Sequence, residues 1–158
     1  MKKEGWKCRC IRCREVRKNY DPKEKLYLFR EEYDASDGKE IFLSFEDKNK
    51  EKLYSLLRLR ILSQTFNKEK HFIPALQDAT IIREVHTYGQ QFPLNRTNLS
   101  VISPQHKGLG KKLIKAAEKI AKKDFGLNKI AVISGVGVRG YFSKLKYKLK
   151  DTYMVKKI

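Results

Sequence analysis

Little in this chain supports a disulfide framework, a membrane span or an acidic surface. Its three cysteines all fall within Cys8–Cys13. An odd number packed that densely excludes a disulfide scaffold and points to a reducing setting. No run reaches the roughly 18 apolar residues of a membrane helix, so no membrane partner is expected. Met1-Lys2-Lys3-Glu4-Gly5-Trp6-Lys7 lacks the apolar stretch of a signal peptide. A cytoplasmic location is therefore the expectation. Acidic residues are scarce: 18 Asp and Glu stand against 36 Lys and Arg, a formal charge of +18. That excess favours a polyanionic partner such as nucleic acid and says nothing about fold. Hydrophobic residues at 41% exclude wholesale disorder, and 158 residues make one domain's worth of chain.

Residues 1–20 carry Cys8, Arg9, Cys10, Arg12, Cys13, Arg14, Arg17 and Lys18 without sustained periodicity, and read as an arm or linker before a domain at 21–158. Lys25–Asp34 and Glu40–Phe45 read as a hairpin around Ala35-Ser36-Asp37-Gly38-Lys39, with Asp-Gly at its centre. Leu53–Leu62 reads as a third strand on its Leu57-Arg58-Leu59-Arg60-Ile61 alternation. Residues 63–77 read as a loop. Ala79–Tyr88, rich in β-branched residues, reads as a central strand, and 89–104 as a long loop. In Gly108–Phe125, Leu109, Leu113, Ile114, Ala117, Ile120 and Ala121 recur at helical spacing, and Gly126 ends the run. Lys129–Ser134 reads as a nearly all-apolar strand, Val138–Leu145 as a short helix and Lys148–Lys156 as a closing strand. The order predicts an α/β fold with one sheet and few helices.

The most informative segment is Gln105-His106-Lys107-Gly108-Leu109-Gly110-Lys111-Lys112, placed just before the strongest helix. Two glycines one residue apart let backbone N–H groups converge without Cβ obstruction. The helix start adds free donors and a positive dipole end. Pyrophosphate is the expected occupant, although a glycine pair before a helix also serves as a plain turn. It is neither the dinucleotide fingerprint nor a Walker motif, lacking the third glycine of one and the Gly-Lys-Ser/Thr of the other.

The pattern Gln-x-x-Gly-x-Gly resembles the coenzyme A loop of the GNAT acetyltransferase superfamily. More specifically, Arg83–Gly89, Gln105–Gly110, Ala116–Ala121, Lys129–Arg139 (with Ile-Ser-Gly-Val-Gly-Val-Arg) and Tyr153–Lys156 resemble the acetyltransferase half of the Elongator catalytic subunit family. Cys8-Arg9-Cys10-Ile11-Arg12-Cys13-Arg14-Glu15-Val16 resembles that family's metal-binding linker. The resemblance implies a GNAT fold, with a mixed, mostly antiparallel sheet and flanking helices. It implies acetyl-CoA as co-substrate, tRNA as partner and carboxymethylation of the wobble uridine at carbon 5. It also implies a radical SAM domain as second partner. That domain's cluster needs Cys-x-x-x-Cys-x-x-Cys, whereas these cysteines are spaced x and x-x, so S-adenosylmethionine and an iron–sulfur cluster are expected only on a domain outside this chain.

By the same resemblance, backbone donors on Arg83, Glu84, Val85 and His86 meet the thioester carbonyl, an oxyanion-type arrangement. Lys107, Gly108, Leu109 and Gly110 hold the pyrophosphate. Tyr141 stands where that superfamily often places a phenol that protonates the leaving thiolate; half-buried packing at a helix start is the other reading of it. On the residues themselves, Glu84 and His86 are the acid–base candidates of the central strand, pointing to one face; His86 is read equally as a packed residue. Cys8, Cys10 and Cys13 suit zinc, with His71, His86, His106, water or an outside group as fourth ligand. The sequence departs from the family at Gly140 and at Lys146 of Lys144-Leu145-Lys146-Tyr147, where a glycine is usual. A left-handed backbone at Lys146 would be tolerated at a cost. The arm, the loop 63–77 and the lysine-rich helix face are candidate RNA contacts, the last more commonly a solvated face. Two other readings stand beside this one: a zinc-stabilised tRNA-binding module with an inert acetyl-CoA pocket, and a protein lysine acetyltransferase.

Overall fold

A computed structural model describes residues 7–17, 21, 23–89 and 108–158. Residues 90–104 of the loop expected at 89–104, the start of the glycine turn at Gln105, His106 and Lys107, and the basic residue Lys18 lie outside the described residues.

Among the described residues, seven strands form one sheet: β1 (Tyr27–Ala35), β2 (Gly38–Glu46), β3 (Leu53–Ile61), β4 (Thr80–Thr87), β5 (Lys129–Val132), β6 (Lys148–Lys150) and β7 (Tyr153–Lys157). They lie in the order β1-β2-β3-β4-β5-β7-β6. All neighbours are antiparallel except β4 and β5. A parallel pair needs a crossover, which contains the long helix. The described helices are α1 (Ile11–Arg14), α2 (Gln64–Asn67), α3 (Leu109–Phe125) and α4 (Arg139–Lys144). No described helix is long and apolar enough to cross a membrane.

The core forms where α3 lies on the sheet. Its Leu113, Ile114, Ala117 and Ala121, on one helical face, are packed with Ile41, Leu43, Leu57, Leu59 and Ile82 of the strands. Phe142 of α4 and Tyr147 join the same cluster. Gly126, at φ 65°, ends α3 as its glycine predicts.

Four expectations need correction. The hairpin turns on Ser36 and Asp37, with φ 42° and 55°, not on Asp-Gly. Gly38 already belongs to β2, where a Cβ would lie 2.4 Å from the Ile61 carbonyl oxygen; the glycine serves close packing. Residues 63–77 contain α2 and a 3-10 turn at Pro74–Leu76, whose Ala75 and Leu76 are buried. The closing strand is a hairpin, because Asp151 and Thr152 take φ 46° and 71° and fold β7 back on β6. A β-branched threonine gives no sequence signal for such a turn. Finally, residues 15–17 are not a free arm. Glu15 bridges Leu53, the Val16 N–H donates to the Leu53 carbonyl at 2.9 Å, and Val16 is buried.

Candidate functional site

β4 changes character at its middle. Ile81 and Ile82 pair with β3 on one side and, together with Thr80, with β5 on the other. At Arg83 a β-bulge adds a residue: Leu59 faces Ile82 and Arg58 faces Glu84. β5 stops at Val132, and the Ile133 N–H donates the last bond, to the Ile82 carbonyl. Beyond it, Glu84–Thr87 keep β3, and Arg83–Thr87 have no strand partner on the β5 side among the described residues. A parallel pair that parts in this way leaves a gap edged by main-chain donors and acceptors.

The gap opens beside the start of α3. Gly108 has φ 65°, a conformation that favours glycine, and the Lys112 N–H donates to its carbonyl at 3.1 Å. That leaves the N–H groups of Leu109, Gly110 and Lys111, the donors of the first turn, without a main-chain partner among the described residues. Gly110 is where three elements meet. A methyl group placed on it would lie 3.5 Å from Thr87 Oγ1, 3.8 Å from the Tyr141 hydroxyl and 4.0 Å from Val85 Cγ2. The missing side chain therefore forms a cradle between the end of β4, the first turn of α3 and α4. Diphosphate carriers with a slender amide-bearing arm fit such a donor set: free N–H groups for the anion and an open strand edge for the arm.

Tyr141 is held over this cradle by its neighbours. Phe142 is buried in the core, and the Tyr141 ring meets it edge-on at 5.3 Å. Tyr147 stacks edge-on against Phe142 at 5.6 Å, and its hydroxyl donates to Glu118 Oε1 of α3 at 2.8 Å. Tyr141 remains 43% exposed, yet burial pushes its phenol above the ordinary tyrosine value. It is therefore protonated at neutral pH. Lys146 has φ 69°, so the position where the family resemblance expects glycine is left-handed here. Gly140 has open space around it.

Glu84 and His86 lie on the other face of β4. They sit opposite Arg58 and Leu56, whereas Val85 sits opposite Leu57 and packs against the core under α3. Glu84 lies 3.8 Å from Arg58, and the Arg83 guanidinium donates to the buried Glu40 carboxylate at 3.2 Å. The His86 ring tilts against Tyr88. The structure thus brings Val85, Gly110 and Tyr141 together and sets the Glu84 and His86 side chains apart from them. Sequence reasoning missed Thr87, whose hydroxyl lies 3.0 Å from Ser55 Oγ, itself a donor to the His86 carbonyl. Its signal was its position two residues after Val85 on the same face.

A second cluster lies at the start of the described chain. The thiols of Cys8, Cys10 and Cys13 all lie within 4.8 Å of one another and are exposed. The Cys13 N–H and the two neighbouring thiols pull the Cys10 thiol below the ordinary value; Cys13, donating to that thiolate, is pushed up to about 11. Three converging soft donors suit zinc. Neither His71 nor His86 joins them, and His106 lies outside the described residues. Beside the thiols, a groove of about 850 Å³ is lined by Lys7, Arg12, Arg14, Arg17 and Lys52 together with Glu15 and Glu51.

The fold and gap define a class: a mixed, mostly antiparallel seven-stranded sheet with few helices and a glycine turn at the mouth of a splayed strand pair. Comparison with known proteins is specific within that class. The chain is 47% identical to the tRNA uridine(34) acetyltransferase of Methanocaldococcus jannaschii over 99% of its own length and 29% of that protein. It is 43% identical to Elongator complex protein 3 of Saccharomyces cerevisiae, over 100% of its length and 28% of that protein. A solved structure of the archaeal Methanocaldococcus infernus Elp3 with an N-terminal deletion matches with a TM-score of 0.82 and 43% identity, over 100% of this chain and 37% of that one. No protein-family model matches. The chain is homologous over its full length to the C-terminal portion of Elongator protein 3, the tRNA uridine(34) acetyltransferase, and spans about 30% of the curated relatives it matches.

Proposed function

We propose that this chain is a GNAT-fold domain that binds acetyl-CoA and serves acyl transfer to the wobble uridine of tRNA. The observation that carries the proposal is the free edge of β4 facing Gly110 and Tyr141 across one gap. Acetyl-CoA, when bound, supplies an activated acetyl group. The N–H groups of Leu109, Gly110 and Lys111 would hold its diphosphate, with Lys107 outside the described residues as a further cation. The freed main chain of Arg83–Thr87 would hold the pantetheine amides and place a donor on the thioester carbonyl. Tyr141, kept protonated, would donate its proton to the departing thiolate. Glu84 and His86 contribute through their backbone in this arrangement, since their side chains face away.

The three thiols would hold zinc, fixing the Cys8–Cys13 segment. A carboxymethyl product needs radical chemistry at carbon 5 of uridine, so a radical SAM domain with S-adenosylmethionine and an iron–sulfur cluster is the expected partner, in the cytoplasm. The net charge of +18 suits tRNA. Besides the basic groove at the thiols, Lys129 sits opposite Lys157 across β5 and β7. Like charges directly opposite repel, and a phosphate would relieve them. Phe72, 87% exposed and stacked on His71, lies in the 63–77 segment whose Ile73 and Leu76 pack with Ala131, Tyr153 and Val155 of these strands.

Calorimetric titration with acetyl-CoA and a non-hydrolysable analogue tests the binding. Turnover of acetyl-CoA by parent and Tyr141→Phe, with and without tRNA, tests the chemistry. Saturable binding and a tRNA-dependent rate lost in Tyr141→Phe are expected. Binding without any turnover would favour the second reading, a zinc-stabilised tRNA-binding module, for which the strained backbone at Lys146 speaks.

A further inference from the structure

We infer that the cysteine segment and the acetyl-CoA turn are energetically coupled through Val16, so that metal on Cys8, Cys10 and Cys13 tightens binding of the diphosphate at the start of α3. The inference rests on the diphosphate reading of that turn. It starts from a packing fact. Val16, Tyr54 and Leu109 form a small buried cluster, with Leu26 and Phe45 packed against it; Phe45 packs against the main core under α3 as well. Each of its three members belongs to a different functional element. Val16 lies three residues beyond Cys13. Leu109 follows the left-handed Gly108 and opens α3. Tyr54 accepts the Tyr88 N–H on its carbonyl at 2.9 Å, just beyond the end of β4.

α1 has four residues, far too few to persist alone. Two anchors remain. At one end the three thiols converge within 4.8 Å. At the other, the Arg14 guanidinium meets the buried Glu46 carboxylate and the Lys50 carbonyl, and Val16 docks on Leu53 and Tyr54. A cation that closes the thiol end removes chain entropy that Val16 must otherwise lose on docking. A docked Val16 backs Leu109, and Leu109 orients the free N–H groups of the first turn. Such coupling is reciprocal, so the diphosphate ligand must tighten metal binding by the same factor. Val16 is thus a positioning residue; it touches neither ligand.

The test compares the chain stripped of metal by a chelator with the same chain reloaded with zinc. Coenzyme A affinity is read by calorimetry, and amide hydrogen exchange is read at Leu109–Leu113. Stripping is expected to weaken coenzyme A about tenfold and to speed exchange in that turn. Val16→Ala is expected to give the weak affinity with or without zinc, and Val16→Thr, which keeps the volume, to retain part of the zinc effect. Leu76→Ala, a cavity in a different cluster, is expected to keep the whole effect. Equal affinity and equal exchange with and without zinc would overturn the coupling, as would an undiminished zinc effect in Val16→Ala. If coenzyme A binds neither form, the diphosphate reading has failed, and the exchange experiment alone decides whether the metal reaches α3.

Discussion

The first three residues of β4 and the last five belong to one strand and behave as two materials. Thr80, Ile81 and Ile82 are buried and paired with β5, and Ile81 and Ile82 pair with β3 as well. Arg83 to Thr87 lose β5, and the edge left on that side is the one proposed to hold the ligand. The bulge at Arg83 separates the halves. The buried half engages its main chain within the sheet, and the Thr80 hydroxyl donates to the Arg60 carbonyl. The open half keeps main-chain groups that no described strand uses on the β5 side. A strand that is half core and half site holds main-chain donors still without consuming them.

Mutations in the two halves should therefore fail in different ways. Ile82→Ala removes a fully buried side chain and is expected to cost about 3 kcal/mol, measured by urea denaturation. Gly110→Ala should do the reverse. It fills the cradle while raising helix propensity, so coenzyme A affinity drops about tenfold, or about 1.4 kcal/mol, while stability holds or rises. Parallel calorimetry and thermal melts would show whether the signs are opposite; a loss of both would mean the cradle is structural. Lys146→Gly relieves a left-handed lysine and should stabilise by about 1 kcal/mol, raising the melting temperature by about 2–4 °C. Gly140→Ala, where a Cβ meets nothing within 4 Å, should add about 0.5–1 kcal/mol.

The smallest effect at neutral pH concerns Tyr141. Its phenol is raised by burial, so whatever stability that contributes is fully present below 10.0, the ordinary tyrosine value, and is lost as pH rises through the raised value. Turnover should fall on that same alkaline limb in the parent chain. Tyr141→Phe should show a low rate without the limb; an unchanged alkaline limb would assign it to another group.

The hairpin, the long helix and the thiol cluster were legible because each rests on local rules: turn chemistry, a 3.6-residue period and ligand spacing. Even there, detail escaped. Gly38 looked like a turn residue, but its glycine is needed by the Ile61 carbonyl one strand away. The bulge left no trace in Arg83-Glu84, because a pair of charged residues fits an exposed strand equally well. Thr87 and Val16 read as ordinary residues, since what makes them matter is which distant atoms they meet. Glu84 and His86 were correctly read as sharing a face. Which face it was depends on where α3 lies.

The sequence by itself determined most of the elements (though not α2, the 3-10 turn at Pro74–Leu76 or the split of the closing strand into β6 and β7), the glycine turn before α3, the three thiols and the excess of positive charge. All follow from interactions between residues close in the chain. Only the tertiary structure decided that β4 and β5 part after Ile82, that Gly110 faces Tyr141, and that Val16 backs Leu109. These depend on contacts between segments dozens of residues apart, whose geometry is set by how the sheet and α3 pack, and no local pattern encodes it.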